Sequence, residues 1–420
     1  MLLRFHLLAL AFNITSIAMT WAKSLPLELV DIILGWARLE PEKVSNRTLV
    51  ACSYVCKAWK ARTQVLLFRD VPISLNGHQL SLLGGALSQG PELGRHIRSF
   101  GMEVKKNPPS PWDQFDSHNL HKGPFRRFRR VFGHFIAILT HSPNLVRLII
   151  NVDCEFDSAD VSKLTSINLP HIHTLNWEGR PTSSVLYSLL ALWPSIRYLR
   201  INKLQPDPLP EHQRPASLRS LCVGRELPES FMTWPVPTGD EEPLRELHFE
   251  DTLTPQVLKG ILLHASTLHV LTVDDFPPQS LLDALTALNE LAFRELPSVP
   301  VRLPLSVQRV RYHFWDPPPR PCITLRGWDD EVDAETVEYT NHLIAALMDL
   351  PKLTLVSATR QSRTTPKEVL AILEKFCREK KVEFDVYDIN ALYSVSTCLS
   401  FDETALINSD ICFRNSVGTI

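Results

Sequence analysis

Apolar residues recur along this chain in a short internal pattern, Leu-x-x-Leu-x-apolar, from residue 145 onward. LVRLII (145–150), IHTLNW (172–177), IRYLRI (196–201) and LRSLCV (218–223) carry it, followed by LRELHF (244–249), LHVLTV (268–273), LNELAF (288–293) and VQRVRY (307–312). The second anchors are Leu148, Leu175, Leu199, Leu221, Leu247, Leu271, Leu291 and Val310, with successive gaps of 19 to 27 residues. That is the period of a leucine-rich repeat. The last apolar pair of each unit alternates, as in Leu175 with Trp177 and Leu247 with Phe249, which predicts a short strand with one buried face. Between strands, Val185, Leu186, Leu189 and Leu190 predict helical turns, and prolines end such turns. One unit cannot cover its own apolar face, whereas stacked neighbours make a continuous core. IRSFGM (97–102) and LPKLTLV (350–356) read as weaker flanking units. The expected fold is therefore α/β (an α+β repeat), with residues 71–390 forming an irregular leucine-rich-repeat-like solenoid. The asparagine that commonly follows the last strand leucine is mostly missing. Residues 391–420 lose the repeat and read as a C-terminal cap or tail.

Positions that alternate with the buried anchors should line the open, concave side of the strands. Ser220 and Cys222 fall there, as do Glu246, His248, Glu250, Asp274, Glu290, Arg294, Arg309, Arg311 and His313. An acidic middle (Glu246, Glu250, Asp274, Glu290) then meets a basic end (Arg294, Arg309, Arg311), which suits a surface that reads a protein partner. A solvated strand face with accidental charges is the alternative. His248 and His313 read as solvent histidines rather than ligands.

Residues 25–70 have another character. Leu25-Pro26-Leu27-Glu28-Leu29 opens a helix with Pro at its first position, and the helix should run to about Arg38. Leu29, Ile32, Ile33, Trp36 and Ala37 fall on a single apolar stripe. Thr48 is a candidate N-cap for a second short helix, and a third carries Val55, Cys56, Trp59, Val65, Leu66 and Phe68. Three helices in so few residues build a small core. They carry more large apolar side chains than they can bury, which invites a partner surface.

Leu25-Pro26-x-Glu28-Leu29, then Cys52-Ser53-x-Val55-Cys56-Lys57-x-Trp59, closing with Leu67-Phe68-Arg69, resembles an F-box. With the downstream repeats, the chain resembles the irregular leucine-rich F-box proteins of mushroom-forming fungi. The resemblance implies a non-enzymatic substrate-receptor subunit of an SCF-type cullin–RING ubiquitin ligase, cytoplasmic or nuclear. A three-helix F-box would bind a Skp-family adaptor, and through it cullin, while the repeats bind an unknown protein substrate. Carried over by motif position, Leu25, Pro26, Leu29, Ile33, Val55, Cys56 and Trp59 would contribute to the adaptor-binding face. Ile32 joins them from the stripe. The charged insert from Glu40 to Arg47 is longer than the motif leads one to expect. Plain core of the three-helix unit is the alternative for each of these residues.

Composition narrows the remaining chemistry. Of 420 residues, 63 are leucine and only 15 are glycine, and neither G-x-G-x-x-G nor G-x-x-x-x-G-K-[ST] occurs. A nucleotide cradle therefore has no sequence basis. Lys and Arg total 44 against 46 Asp and Glu, a net charge of −2 that gives no basic body for nucleic acid. KGPFRRFRRVFGH (122–134) is basic and aromatic, yet Val131, Phe132, Phe135, Ile138 and Leu139 follow helical spacing, so a solenoid helix with a solvated basic side is the reading taken. PPPRP (317–321) reads as a loop, and the acidic run Asp329 to Glu335 as the start of a helix running to Met348. The eight cysteines show no C-x-x-C and no paired framework, so no metal or cofactor is expected.

Residues 1–24 resemble a secretory signal, with Arg4, an apolar run and small residues at 18 and 22. Asn13, Thr15 and Ser16 interrupt that run, which favours a helical leader or a misassigned start over a signal peptide, and no membrane partner is expected. Were the signal real, the chain would be a secreted or membrane-tethered leucine-rich binding protein.

Overall fold

The computed structural model describes residues 25–38, 46–71, 77–104, 122–152, 158–177, 183–202, 218–224, 243–250, 252–313, 334–360 and 367–388. The leader, most of the charged insert, PPPRP and the C-terminal tail lie outside the described residues. The chain divides into two compact units, Met1–Cys154 with Ser158–Ile172 and Glu155–Asp157 with His173–Ile420.

The first unit begins with three helices, α1 (Leu27–Arg38), α2 (Asn46–Ser53) and α3 (Lys57–Arg69). Pro26 sits just outside α1, one position before the sequence expectation, and its carbonyl accepts the backbone N–H groups of Leu29 and Val30 at 3.1 and 3.2 Å. The second helix also starts earlier than expected, so Thr48 lies inside α2 rather than capping it. Val30 and Leu34, four residues apart on one face of α1, meet Leu49 of α2 and Trp59 of α3, and these four form the buried core. Leu25, Cys52, Val55, Cys56, Leu66 and Leu67 pack half-buried around them. The exit of α3 is tied onward: the Val71 N–H donates to the Ser99 carbonyl at 3.0 Å and the Arg98 N–H to the Arg69 carbonyl at 2.8 Å. The three helices therefore end in a bridge to the following strand.

That strand, β1 (Ser99–Val104), pairs in parallel with β2 (Arg147–Val152). Before β1 come α4 (Gly77–Gln89) and a 3-10 turn (Pro91–His96), and between β1 and β2 lies α5 (Lys122–His141). Val131, Phe132, Phe135, Ile138 and Leu139 of α5 are all buried, as their helical spacing requires. Phe135 stacks on Phe100 of β1 at 5.5 Å between ring centres. The short α6 (Ser158–Thr165) follows β2.

The second unit is a run of strands, each paired in parallel with its neighbour in sequence. They are β3 (Thr174–Trp177), β4 (Tyr198–Ile201), β5 (Ser220–Val223), β6 (Glu246–Phe249), β7 (Val270–Val273), β8 (Glu290–Phe293), β9 (Arg309–His313), β10 (Leu355–Arg360) and β11 (Glu383–Asp388). Described helices in the connections are α7 (Ser183–Leu192), α8 (Pro255–Leu262), α9 (Gln279–Ala284), α10 (Ala334–Met348) and α11 (Lys367–Lys380). Leu175, Leu199, Leu221, Leu247, Leu271, Leu291 and Val310 stand side by side in register, all buried. This is the stacked-repeat core expected from the spacing.

One hydrogen-bond motif recurs at each step. The carbonyl just before a strand accepts two consecutive N–H groups of the next repeat: His173 from Arg197 and Tyr198, Arg197 from Arg219 and Ser220, Arg219 from Arg245 and Glu246. Arg245, His269, Asn289 and Gln308 repeat the pattern down to Thr354 and Leu355. These carbonyls belong to the first variable position of Leu-x-x-Leu, so side-chain identity there is free while the backbone does the joining. Where a helix follows, local chemistry starts it. At α8 the Thr254 hydroxyl accepts from the Val257 N–H at 3.3 Å, with Pro255 at the first helical position.

Candidate functional site

Two surfaces carry the candidate residues, one in each unit. On the three helices, burying Val30 and Leu34 turns the neighbouring face of α1 outward. Leu29 is 45% exposed, Ile32 49% and Ile33 37%, with Leu27, Pro26, Val50 of α2 and Tyr54 also exposed. Leu29, Ile32 and Ile33 of the stripe read from the sequence thus lie on the outer face of α1, while Val30 and Leu34 make its core contact. Leu25, Val55 and Cys56 are half-buried at the rim of the core. Trp59 is a correction: at 7% exposure its ring belongs to the core of the three helices and offers little to a partner. Leu27, Val50 and Tyr54 were not among the sequence candidates. Only the structure, with Val30 and Leu34 in the core, reveals that they are exposed.

The sheet of the second unit places the remaining candidates in two rows. Across β4 to β9, one row runs Tyr198, Ser220, Glu246, Val270, Glu290, Arg309, and the next runs Arg200, Cys222, His248, Thr272, Ala292, Arg311. Glu250, Asp274 and Arg294 follow the ends of β6, β7 and β8. Here the acidic middle and basic end dissolve into ion pairs. Arg200 Nη2 reaches Glu250 Oε1 at 3.3 Å, Arg294 Nη1 reaches Asp274 Oδ1 at 2.8 Å, and Glu290 takes Arg311 Nε at 3.0 Å and Arg309 Nη1 at 3.8 Å. The pairs join neighbouring strands, β7 to β8 and β8 to β9, and in the case of Arg200 and Glu250 span β5, so acidic and basic side chains of this face lie beside one another.

The Arg200–Glu250 pair also explains a second correction. Ser220 and Cys222, expected on the open face, are both buried. Arg200 on β4 and Glu250 after β6 meet across β5, and Cys222 Sγ lies 3.9 Å from Glu250 Oε1 beneath them. Burial pushes the Cys222 thiol up to about 12, with Arg200 opposing and Glu250 adding to the shift. It is a poor nucleophile in this state.

His248 and His313 are not solvent histidines. Both are half-buried, and burial together with nearby guanidinium groups lowers each from 6.5 to about 4. Arg311 and Arg200 act on His248, and Arg311 and Arg294 on His313. Both imidazoles are neutral at ordinary pH.

Among the described residues, no group of three His, Cys, Asp or Glu side chains could hold a metal ion, and no helix is long and apolar enough to cross a membrane. Cys52, Cys56, Cys222 and Cys377 are free thiols.

Neither a family model nor any curated protein matches the chain. Among solved structures it is similar to one described as "Crystal structure of Rad7 and Elc1 complex in yeast", with a TM-score of 0.33 and 14% identity over 83% of this chain and 92% of that one. The likeness is too distant to add to the geometry above.

Proposed function

We propose that this chain is a non-catalytic substrate receptor of an SCF-type cullin–RING ubiquitin ligase, working in the cytoplasm or nucleus. The outer face of α1, extended by Val50 and Tyr54, binds a Skp-family adaptor and through it cullin. The strand face from Arg200 to Arg311 binds the protein substrate. The mechanism is proximity: a receptor held at both ends raises the substrate's local concentration near the conjugating enzyme, whose chemistry belongs to other subunits.

One observation carries the reading. The LPxEL, CSxVCKxW and LFR segments of the resemblance coincide with three helices that leave large apolar side chains exposed, Leu27, Leu29, Ile32 and Ile33 on α1, Val50 on α2 and Tyr54 just after it. An apolar cluster of that kind, beside a core of four residues, is a binding face rather than an ordinary surface. Ion pairing across the strand face favours recognition by shape and matched charge pairs over long-range attraction.

The test is co-purification of the full chain with a Skp-family adaptor, compared with Leu29→Asp and Ile33→Asp. Both positions are already open to solvent, so the variants keep their helical content and lose the adaptor. Capture that is indifferent to both changes, or glycosylated protein recovered from the medium, would sink the proposal.

A further inference from the structure

The row that leads into the strands of the second unit is basic in five successive repeats. His173, Arg197, Arg219, Arg245 and His269 stand immediately before β3, β4, β5, β6 and β7. Their backbones are joined directly. The Arg197 N–H donates to the His173 carbonyl, the Arg219 N–H to Arg197 and the Arg245 N–H to Arg219, each at 2.9 Å, and the His269 N–H to Arg245 at 2.7 Å. With neighbouring strands about 4.8 Å apart, these positions form a line of about 19 Å. Beyond His269 the row continues as Asn289 and Gln308 and loses its basic character.

Nothing in the fold asks for basic residues there. The joining uses N–H and carbonyl groups that every residue except proline supplies, and the buried anchors occupy other positions of the repeat. His173 and Arg245 are exposed, while Arg197, Arg219 and His269 are half-buried. The ion pairs described above draw on Arg200, Arg294, Arg309 and Arg311 and leave this row out. Arg219 stands between two further arginines, and its Nε is buried without a hydrogen-bond partner. Like charges one strand apart are unfavourable until a counter-charge lies across them. The histidines at the two ends are oriented by backbone: His173 Nδ1 lies 3.0 Å from the Ser195 carbonyl oxygen, and His269 Nδ1 2.7 Å from that of Thr267. A carbonyl only accepts, so each Nδ1 carries the hydrogen, and Nε2 of the neutral ring is an acceptor.

We infer that this row binds an acidic, extended segment of a protein partner. Its carboxylates lie over Arg197, Arg219 and Arg245, and its backbone N–H groups donate to the histidine Nε2 atoms at the ends. A guanidinium fork matches a carboxylate in both plane and charge, and about six extended residues span the line. A nucleic acid strand fits less well. Its backbone offers no N–H to the histidines, and its unbroken charge would run beside Glu246 and Glu290 in the next row. The inference deepens the proposed reading of the strand face, and it rests on that reading for what the bound segment belongs to.

The test is fluorescence anisotropy of the full chain with a labelled ten-residue peptide alternating Glu and Ser, at physiological salt. The same peptide with Gln in place of Glu, and a ten-nucleotide thymidine strand, should each bind at least about tenfold more weakly. Arg219→Gln should weaken the acidic peptide about tenfold, since a charge-assisted hydrogen bond at a half-buried site is lost. Arg245→Gln, at an exposed site, should weaken it about threefold. Lys259→Gln makes the same charge change on α8 and should leave binding as it was. Arg245 is exposed and joined through its backbone, so Arg245→Gln should melt with the parent, and its binding reports on the lost charge alone. No binding by the parent, binding indifferent to both arginine changes, or equal binding of the thymidine strand would overturn the inference. Adaptor capture, measured on the same preparations, tests the receptor reading separately, so the failure of one is told apart from the failure of the other.

Discussion

Glu290 anchors the strand face, and removing its charge gives a measurable consequence. Its carboxylate is 14% exposed and serves two guanidinium groups, Arg311 at 3.0 Å and Arg309 at 3.8 Å. The two contacts differ in kind. Arg311 is mostly covered, and a charge-assisted hydrogen bond in such a place contributes about 1.5–3 kcal/mol. Arg309 is 57% exposed, and a solvated pair of that sort contributes about 0–1 kcal/mol. Glu290→Gln keeps the volume and loses both, leaving Arg309 and Arg311 facing each other without a counter-charge. The expected cost is about 2–3 kcal/mol, or a fall of roughly 5–10 °C in melting temperature for a domain of this size. Arg309→Gln, which removes only the outer contact, should cost under about 1 kcal/mol. Thermal melts of the three full-length proteins at one salt concentration give both numbers. Should Glu290→Gln and Arg309→Gln melt together, within a degree, the half-buried Arg311 contact would not hold the face as described.

Two further outcomes follow from burial. Trp59→Ala empties the largest member of a four-residue core and should cost about 3–5 kcal/mol, more than so small a bundle can lose. Amides of α1 to α3 would exchange freely in that variant, while Leu29→Asp should stay within about 0.5 kcal/mol of the parent. Acid should weaken the second unit. His248 and His313 sit near 4 when folded and near 6.5 when unfolded. The unfolded chain therefore binds more protons between those values, and stability falls as pH drops from 6.5 towards 4. His248→Gln with His313→Gln should flatten that slope in urea unfolding measured across the same pH range, and an unchanged slope would refute it.

The sequence was most informative where one local rule repeats. Leu-x-x-Leu-x-apolar located β2 to β9 because each strand needs a buried second and fourth position, and those positions lie only two residues apart in the chain. It was less informative where two faces compete. The α1 segment is apolar on two neighbouring sides, and spacing alone gave Leu29, Ile32 and Ile33 the stripe, while the shape of α2 and α3 chose Val30 and Leu34 as core. The ion pairs were illegible for a different reason. Arg200 and Glu250 are 50 residues apart, and only the sheet makes them meet. Cys222 was assigned to the open face for want of that pair. β11 escaped notice because Glu383–Asp388 sets Phe384 and Val386 between acidic residues in place of the leucine anchors, although its alternation was there to be seen.

The most direct test of the account is an amide-exchange footprint of the full chain, alone and saturated with a Skp-family adaptor. The account predicts new protection across Leu27–Arg38 and Asn46–Ser53, with β3 to β9 unchanged. Protection on those strands instead, or no difference anywhere at saturating adaptor, would contradict it.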